Sequence, residues 1–383
     1  MALDTTFAGV NNTGVGRYSR QLAAALQALR TPAGDPILEA GVFGPSAHPP
    51  PPPDAAWPRR VRDLALENPL ATQGWLPLRL LAFGPRLVHS TAFVGPLWGP
   101  GPLVLSFHDL IYHHDPAAYD PAWRLVIETL APLSLRRARA VIAISHCTAA
   151  DLQRTYRVPR AKVHVVPIAV DPIFFAPVPP DTLAAVRARY RLDAPYVLHS
   201  GALVRRKNLP MLIRAFTRYC AVSGDPATLL ALTGQPQRGM PGGDELLAAI
   251  AESPVRARIR LLGHVPGADL PALYAGATLL AYPTRYEGQG LPPLEAMAAG
   301  TPVLASSTPA VAEVAAPAAL LVDPADEAGW AAALGRLLPD SGLRDALTAR
   351  GRTVAARFTW PHCAAATLAV YGTVLRSTRK IGQ

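Results

Sequence analysis

Glu287-Gly288-Gln289-Gly290-Leu291-Pro292-Pro293-Leu294-Glu295 sets two carboxylates, with seven residues between them, across a glycine turn that opens a helix. Ahead of it the apolar run Ala277 to Ala281 reads as a strand ended by Tyr282-Pro283. Pro292-Pro293 fits a first helical turn, where a missing N–H costs least. The helix runs to about Ala299, Gly300 suits the position just past its end, and Thr301 to Ala305 reads as the next buried strand. Between strand and helix, Gly288, Gln289, Gly290 and Leu291 offer backbone N–H groups at a helix N-terminus, a ready place for a pyrophosphate. A carboxylate there repels phosphate. Glu287 and Glu295 are therefore read as aimed at sugar and ribose hydroxyls.

Outward from this stretch, short apolar runs alternate with helical periodicity, the pattern of two doubly wound parallel sheets. In the first half, strands are expected at Met1 to Asp4, Ile37 to Phe43, Leu87 to His89, Leu103 to Phe107, Val141 to Ile144 and Val163 to Val166. In the second half they are expected at Tyr196 to Ser200, Leu229 to Thr233, Ile259 to Leu262, Ala277 to Ala281, Pro302 to Ala305 and Leu320 to Val322. Pro172 to Pro180 reads as the linker, giving domains of residues 1–172 and 181–363, with a last helix over about 364–383. His48 to Trp57, with five prolines in a row, reads as an extended loop.

The chain has 383 residues and is 50% hydrophobic, enough for two domains with separate cores. No charged-then-apolar leader opens it, and Cys363 to Leu375 is too short and too rich in alanine for a membrane span. Cys147, Cys220 and Cys363 are odd in number and lack metal-ligand spacing, so a reducing, cytoplasmic setting is expected. The formal charge is +10, and Lys162, Lys207 and Lys380 are the only lysines. No aromatic-interleaved basic stripe or nucleic-acid-binding motif accompanies that charge, which excludes nucleic acid as the expected partner.

Gly201 ends a strand, and Ala202-Leu203-Val204-Arg205 leads to Arg206-Lys207-Asn208 before a helix with apolar Leu212, Ile213 and Phe216. Cations at a helix N-terminus oppose the macrodipole. At a strand's C-terminal end they face the crevice where ligands bind, so Arg206 and Lys207 are read as holding phosphate oxygens and offsetting a departing diphosphate's charge. Thr13-Gly14-Val15-Gly16 could pass for a dinucleotide fingerprint. The third glycine position is Ser19, however, and the second strand ends in Gly44 with no acid to take a ribose. Gly14 and Gly16 are read instead as letting the backbone approach a donor's phosphate or sugar, with Arg17 near the rim. His108-Asp109 and His113-His114-Asp115 match no familiar zinc spacing, and no two aspartates lie two residues apart, so no metal or other cofactor is expected. Ser145 reads as an N-cap and Glu313 as a surface or capping acid.

Glu287 to Glu295 resembles the E-x7-E signature of the retaining glycosyltransferases of family 4, and three other segments follow in that family's order. Thr13 to Tyr18 is similar to its glycine-rich loop, Phe107-His108-Asp109-Leu110 to its His-Asp strand end, and Gly201 through Arg206-Lys207-Asn208-Leu209 to its phosphate clamp. The resemblance implies the GT-B fold, two Rossmann-like domains facing a central cleft, with an acceptor-side N-terminal domain completed by the last helix and a C-terminal donor domain. It implies that His108 approaches the donor sugar, that Val265 flanks the base, that Glu295 holds ribose and Glu287 the sugar, and that Arg206, Lys207, Gly288, Gly290 and Leu291 serve the diphosphate. The expected reaction is retaining transfer of a hexose, mannose from GDP-mannose first and UDP-glucose next, to a glycan or lipid-linked hydroxyl. A lipid-linked acceptor would bring Arg59, Arg60, Arg62, Arg136, Arg137 and Arg139 to an anionic membrane surface. A nucleotide-sugar hydrolase or epimerase, or a non-catalytic binding subunit, are the alternatives. Gln289 stands where the family usually has an aromatic residue and Thr284 where a serine is common, which bears on donor preference.

Overall fold

The structure, a computed structural model, describes residues 1–5, 14–30, 41–43, 71–236 and 242–381. Thr13, Gly44, the proline run around His48 to Trp57, and Arg59, Arg60 and Arg62 lie outside them. The chain forms two compact units. One comprises Met1–Leu110, Tyr119–Ala169 and Trp360–Gln383; the other comprises Ile111–Ala118 and Val170–Thr359.

Among the described residues the first unit carries β1 (Ala2–Asp4), β2 (Gly41–Phe43), β3 (Val88–Ser90), β4 (Leu103–Phe107), β5 (Ala140–Ala143) and β6 (Val163–Val165). All pair in parallel, in the order β2-β1-β3-β4-β5-β6. The second unit carries β7 (Tyr196–His199), β8 (Leu229–Thr233), β9 (Ile259–Gly263), β10 (Leu279–Tyr282), β11 (Val303–Ser306) and β12 (Ala319–Val322). Its sheet is also parallel, in the order β12-β11-β10-β7-β8-β9. Two doubly wound parallel sheets are thus as expected, and the strand boundaries agree within two residues where they are described. A parallel strand covered by helices on both faces must be apolar throughout. β4, β7, β10 and β11 are buried along their whole length, whereas edge strands β6 and β12 are half-buried.

Strand order fixes where a ligand can bind. In the second sheet the chain starts at β7, builds outward through β8 and β9, then returns to the other side of β7 with β10. At such a reversal the loops after the two central strands diverge, leaving a crevice at the strands' C-terminal ends. Here those loops are Ser200 to Asn208 after β7 and Pro283 to Gly290 after β10. In the first sheet the reversal falls between β1 and β3.

The helix Leu209–Ser223 anchors the second crevice from behind. Its apolar residues Leu212, Ile213, Phe216 and Tyr219 recur at helical spacing and pack against β7 and β8 residues Val197, Leu230 and Leu232. Burying Phe216 alone contributes about 2–3 kcal/mol. Gly224, at φ 66°, ends the helix in a left-handed turn. The final helix, Trp360–Ile381, belongs to the first unit and packs on the helix Gly14–Ala28. A buried chain of hydrogen bonds ties it down: Tyr371 Oη to His89 Nδ1 at 2.6 Å, His89 Nε2 to Ser106 Oγ at 2.8 Å, and Ser106 Oγ to Tyr18 Oη at 2.9 Å. Burial, and then the neighbouring His108, hold His89 neutral with a pKa of about 3.

Candidate functional site

In the second unit, Arg205–Lys207 forms one tight helical turn after β7, and Asn208 follows in the left-handed conformation at φ 58°. Asparagine tolerates that geometry better than most residues. Its buried side chain also donates to the carbonyls of Pro283, at 3.3 Å, and Pro324, at 2.7 Å, so one residue ties the basic turn to the loop after β10. A main-chain bond from Arg285 N to Arg206 O, 2.8 Å, adds a second tie.

These ties bring the basic turn onto Glu287. Lys207 Nζ donates to Glu287 Oε1 at 2.7 Å and Thr284 Oγ1 donates to the same oxygen at 2.8 Å. Arg206 Nη1 pairs with it as well. Three donors therefore converge on Oε1, and Oε2 receives none of these bonds. Burial by itself would raise the carboxyl's pKa; the Arg206 guanidinium and Lys207 ammonium, with the hydrogen bonds from Lys207 and Thr284, outweigh it and hold the group near 2. Arg206 keeps 20% of its side-chain surface exposed and Lys207 only 5%, so the guanidinium is the cation an arriving anion meets first.

Lys207 is sunk against β10. Its ammonium lies 4.4 Å from the centroid of the Tyr282 ring and donates to the phenol oxygen at 2.5 Å. Gly201 lies against Cε and Nζ of Lys207, and its φ of 137° is a backbone conformation that suits glycine. Beneath Tyr282 the fully buried His199 stacks at 5.9 Å and 15°, its Nδ1–H donating to Ala281 O. Burial, reinforced by Lys207, holds His199 neutral with a pKa of about 3. Burial likewise pulls Lys207 down to about 8, against the pull of Glu287 and with a further push from Arg206.

The helix Leu291–Ala299 starts at Gly290, whose φ of 101° suits glycine. Pro292 and Pro293 follow Leu291 at its start and carry no N–H, which removes two of the orphan donors a helix N-terminus normally offers. The amides of this turn that precede the prolines are those of Gly288, Gln289, Gly290 and Leu291. Gln289 is buried. One turn on, buried Glu295 accepts a hydrogen bond from Tyr274 Oη at 2.9 Å. Val265, just past β9, is packed into the apolar core, which leaves its backbone as the part that can meet a ligand. His114 stacks on Tyr286, beside Glu287, at 4.0 Å and 26°.

In the first unit His108 follows β4 and is buried against Tyr18, 4.8 Å away edge-on, and Phe93. Its Nε2–H donates to Thr91 O at 2.8 Å. Burial pushes its pKa down to about 4, against that bond, so the ring is neutral and Nδ1 is its acceptor nitrogen. A neutral imidazole supplies a hydrogen bond rather than positive charge. Gly16 is buried in the helix Gly14–Ala28 and Gly14 opens it. Ser19, which takes the place of a third glycine, bonds to Thr91 Oγ1 at 2.7 Å, so its hydroxyl joins the group that orients His108.

Other residues singled out in the sequence lie as follows. Ser145 caps the helix His146–Tyr156 through Thr148 N at 3.0 Å. Glu313 is exposed and lies late in the helix Pro309–Ala315, which starts from Thr308. Arg137 does not belong to a solvated basic face: its guanidinium donates to the carbonyls of Pro96 and Gly99, leaving Arg136 and Arg139 as the exposed pair. Among the described residues no three His, Cys, Asp or Glu side chains are placed to hold a metal, and no helix is long and apolar enough to cross a membrane. Two surface cavities of about 700 and 610 Å³ lie apart from Glu287, Lys207 and Glu295; the second borders Arg205, Asn208 and Arg285.

Thr284, Tyr282, His199, Asn208 and Thr91 are the members that sequence reading did not assign a part. Thr284 carried the only signal, as a hydroxyl residue where serine is common.

The chain matches a family model described as Glycosyl transferases group 1 over residues 186–354 and one described as Glycosyltransferase Family 4 over residues 12–174. It is 32% identical to O-antigen chain mannosyltransferase B of Escherichia coli, over 70% of this chain and 69% of that protein. It is 35% identical to a D-inositol 3-phosphate glycosyltransferase of Salinispora tropica, over 74% of this chain and 61% of that one. Among solved structures, sucrose-phosphate synthase from Thermosynechococcus elongatus superposes with a TM-score of 0.74 at 24% identity, covering 98% of this chain and 99% of that one. HepE of Anabaena in complex with UDP-glucose gives 0.71 at 17% identity, covering 97% and 98%.

Proposed function

This chain belongs to the family 4 glycosyltransferases of the GT-B fold, and from that premise we propose that it moves a hexose from a nucleoside diphosphate sugar to a hydroxyl of a glycan or lipid-linked saccharide, keeping the anomeric configuration. The observation that carries the proposal is the convergence of Arg206, Lys207 and Thr284 on one oxygen of Glu287, beside a helix N-terminus at the sheet's reversal point. GDP-mannose is the first donor to test, since the relative from Escherichia coli is named a mannosyltransferase; UDP-glucose, bound in the HepE structure, is the second.

In this scheme the bond from the sugar's anomeric carbon to the diphosphate breaks on the face where the acceptor hydroxyl attacks. The new carbon–oxygen bond forms there, and the hydroxyl proton passes to the leaving phosphate. The protein's part is to stabilise charge as it grows on the diphosphate. Arg206 supplies a planar fork, Lys207 a point charge, and Gly290 and Leu291 their amides. Glu295 takes ribose hydroxyls, and the Oε2 oxygen of Glu287 takes a sugar hydroxyl. In the first unit, taken by itself, Gly14 and Gly16 leave the backbone open to close approach, and neutral His108 offers Nδ1 as an acceptor for a hydroxyl.

A panel of nucleotide sugars, run in excess EDTA because the proposed scheme neutralises the diphosphate with Arg206 and Lys207 alone, tests the donor class by melting temperature. One donor present at about 100 times its Kd is expected to add roughly 2.7 kcal/mol of stability. A panel that leaves the melting temperature unmoved contradicts the proposal. Rate against pH gives an independent check. Lys207 carries its charge below about pH 8 and loses it above, so kcat/KM is expected to fall tenfold per pH unit on the alkaline side. A profile flat to about two units above that value would mean the ammonium is not used.

A further inference from the structure

We infer that Tyr282 is a positioning residue for the diphosphate clamp: its phenol oxygen and the Glu287 carboxylate each take one N–H of the Lys207 ammonium, so that the third is left to aim at the donor. This rests on the function proposed above. An ammonium has three N–H bonds and no acceptor. One of those of Lys207 ends on Tyr282 Oη at 2.5 Å and one on Glu287 Oε1 at 2.7 Å, which fixes the direction of the third.

Tyr282 is itself immobile. It is the last residue of β10, has no solvent exposure, and is backed by the parallel ring of His199. Burial first, and then the Glu287 carboxylate, hold its phenol protonated, so it meets the cation as a neutral acceptor. A phenylalanine would keep the ring, the stack on His199 and the cation–π contact, and would lose only the oxygen. Strand packing does not ask for that oxygen: on the same sheet face, Leu280 and the paired residues Leu198, Val303 and Ala305 are aliphatic.

The consequence is a shift in when Lys207 gives up its proton. The charged or titratable groups facing it are Glu287, Arg206, Glu295, Tyr282 and His199. Glu287 and Glu295 favour the ammonium; Arg206 and burial oppose it. The phenol oxygen, a neutral acceptor, also favours it, and removing it leaves burial less opposed.

The chain's three lysines make this directly readable, because selective isotope labelling gives three lysine side-chain NMR signals, and Lys207→Ala identifies the one that belongs to the clamp. In Tyr282→Phe the Lys207 signal is expected to titrate about one pH unit lower than in the wild type. Binding of GDP or UDP should weaken roughly fivefold at a pH near the wild-type midpoint while staying within about twofold well below it. An unchanged midpoint, or an equal loss at both pH values, overturns the inference. Should Tyr282→Phe fail to fold, adding Lys207→Met removes the stranded ammonium. Recovery of a folded protein then supports the assignment, and failure of both variants overturns it in favour of plain packing. Lys207→Ala separates this idea from the one beneath it. If that variant binds GDP and UDP as the wild type does, the clamp itself is wrong; if it binds weakly while Tyr282→Phe titrates normally, only the role of Tyr282 falls.

Discussion

Lys207→Ala is expected to lower kcat/KM by about 10²-fold or more, on the order of 3 kcal/mol of lost transition-state stabilisation. The argument starts from burial. A lysine with only 5% of its side chain exposed is costly to keep charged, and the fold keeps it charged with a carboxylate at 2.7 Å and a phenol at 2.5 Å. Such an arrangement is retained where the charge is used. In the proposed reaction the need grows as the sugar–phosphate bond breaks and negative charge gathers on the diphosphate, so the loss should fall on kcat as well as on donor affinity. The truncation leaves Glu287 paired with Arg206 and Thr284, so the fold is expected to survive. Steady-state rates at saturating donor within a factor of about two of wild type would show that the clamp assignment is mistaken.

Glu287→Gln is expected to slow turnover by on the order of 10²-fold without weakening the nucleoside diphosphate, whereas Glu295→Gln should weaken that ligand by about tenfold. The two acids differ in what holds them. Glu287 Oε1 is the shared anion of two cations and a hydroxyl. Removing its charge leaves those cations less neutralised, which favours an arriving diphosphate but misplaces them for bond breaking. It also removes the main influence that keeps Lys207 protonated, so the alkaline fall in rate should move from about pH 8 to a lower pH. Glu295 acts on Lys207 only as the smallest of its electrostatic influences, accepts from Tyr274 and stands one helical turn beyond Gly290, where a nucleoside can be met. Calorimetric titration with GDP and UDP distinguishes the two, and equal loss of affinity in both variants would defeat this division of roles.

Much of this was legible in the sequence, for physical reasons. Strands buried on both faces have to be continuous apolar runs, so Leu103 to Phe107 and Leu229 to Thr233 could be placed to the residue. Arg206-Lys207 stood out because cations at a helix start are unfavourable unless something uses them. What escaped was convergence in space. Tyr282 and His199 read as ordinary ends of strands, and only strand order puts β7 beside β10 and their rings in a stack. Asn208 looked like one more residue of a basic turn, whereas its left-handed backbone and its bonds to Pro283 and Pro324 reach across 75 and 116 residues. Arg137 was grouped with exposed neighbours because its carbonyl partners lie some forty residues earlier. The prolines after Leu291 were read as favouring a helix start, and their cost in phosphate-facing amides emerges only once the helix boundary is known.

The claim at the centre is that a nucleoside diphosphate sits on Arg206 and Lys207. Calorimetric titration of GDP and UDP into the wild type and Lys207→Ala, at low and high salt, tests it most directly. The wild type should bind at least one of them, more weakly as salt rises, and the variant should bind that ligand at least about tenfold more weakly with a shallower salt dependence. Equal affinity and equal salt dependence in the two proteins would contradict it.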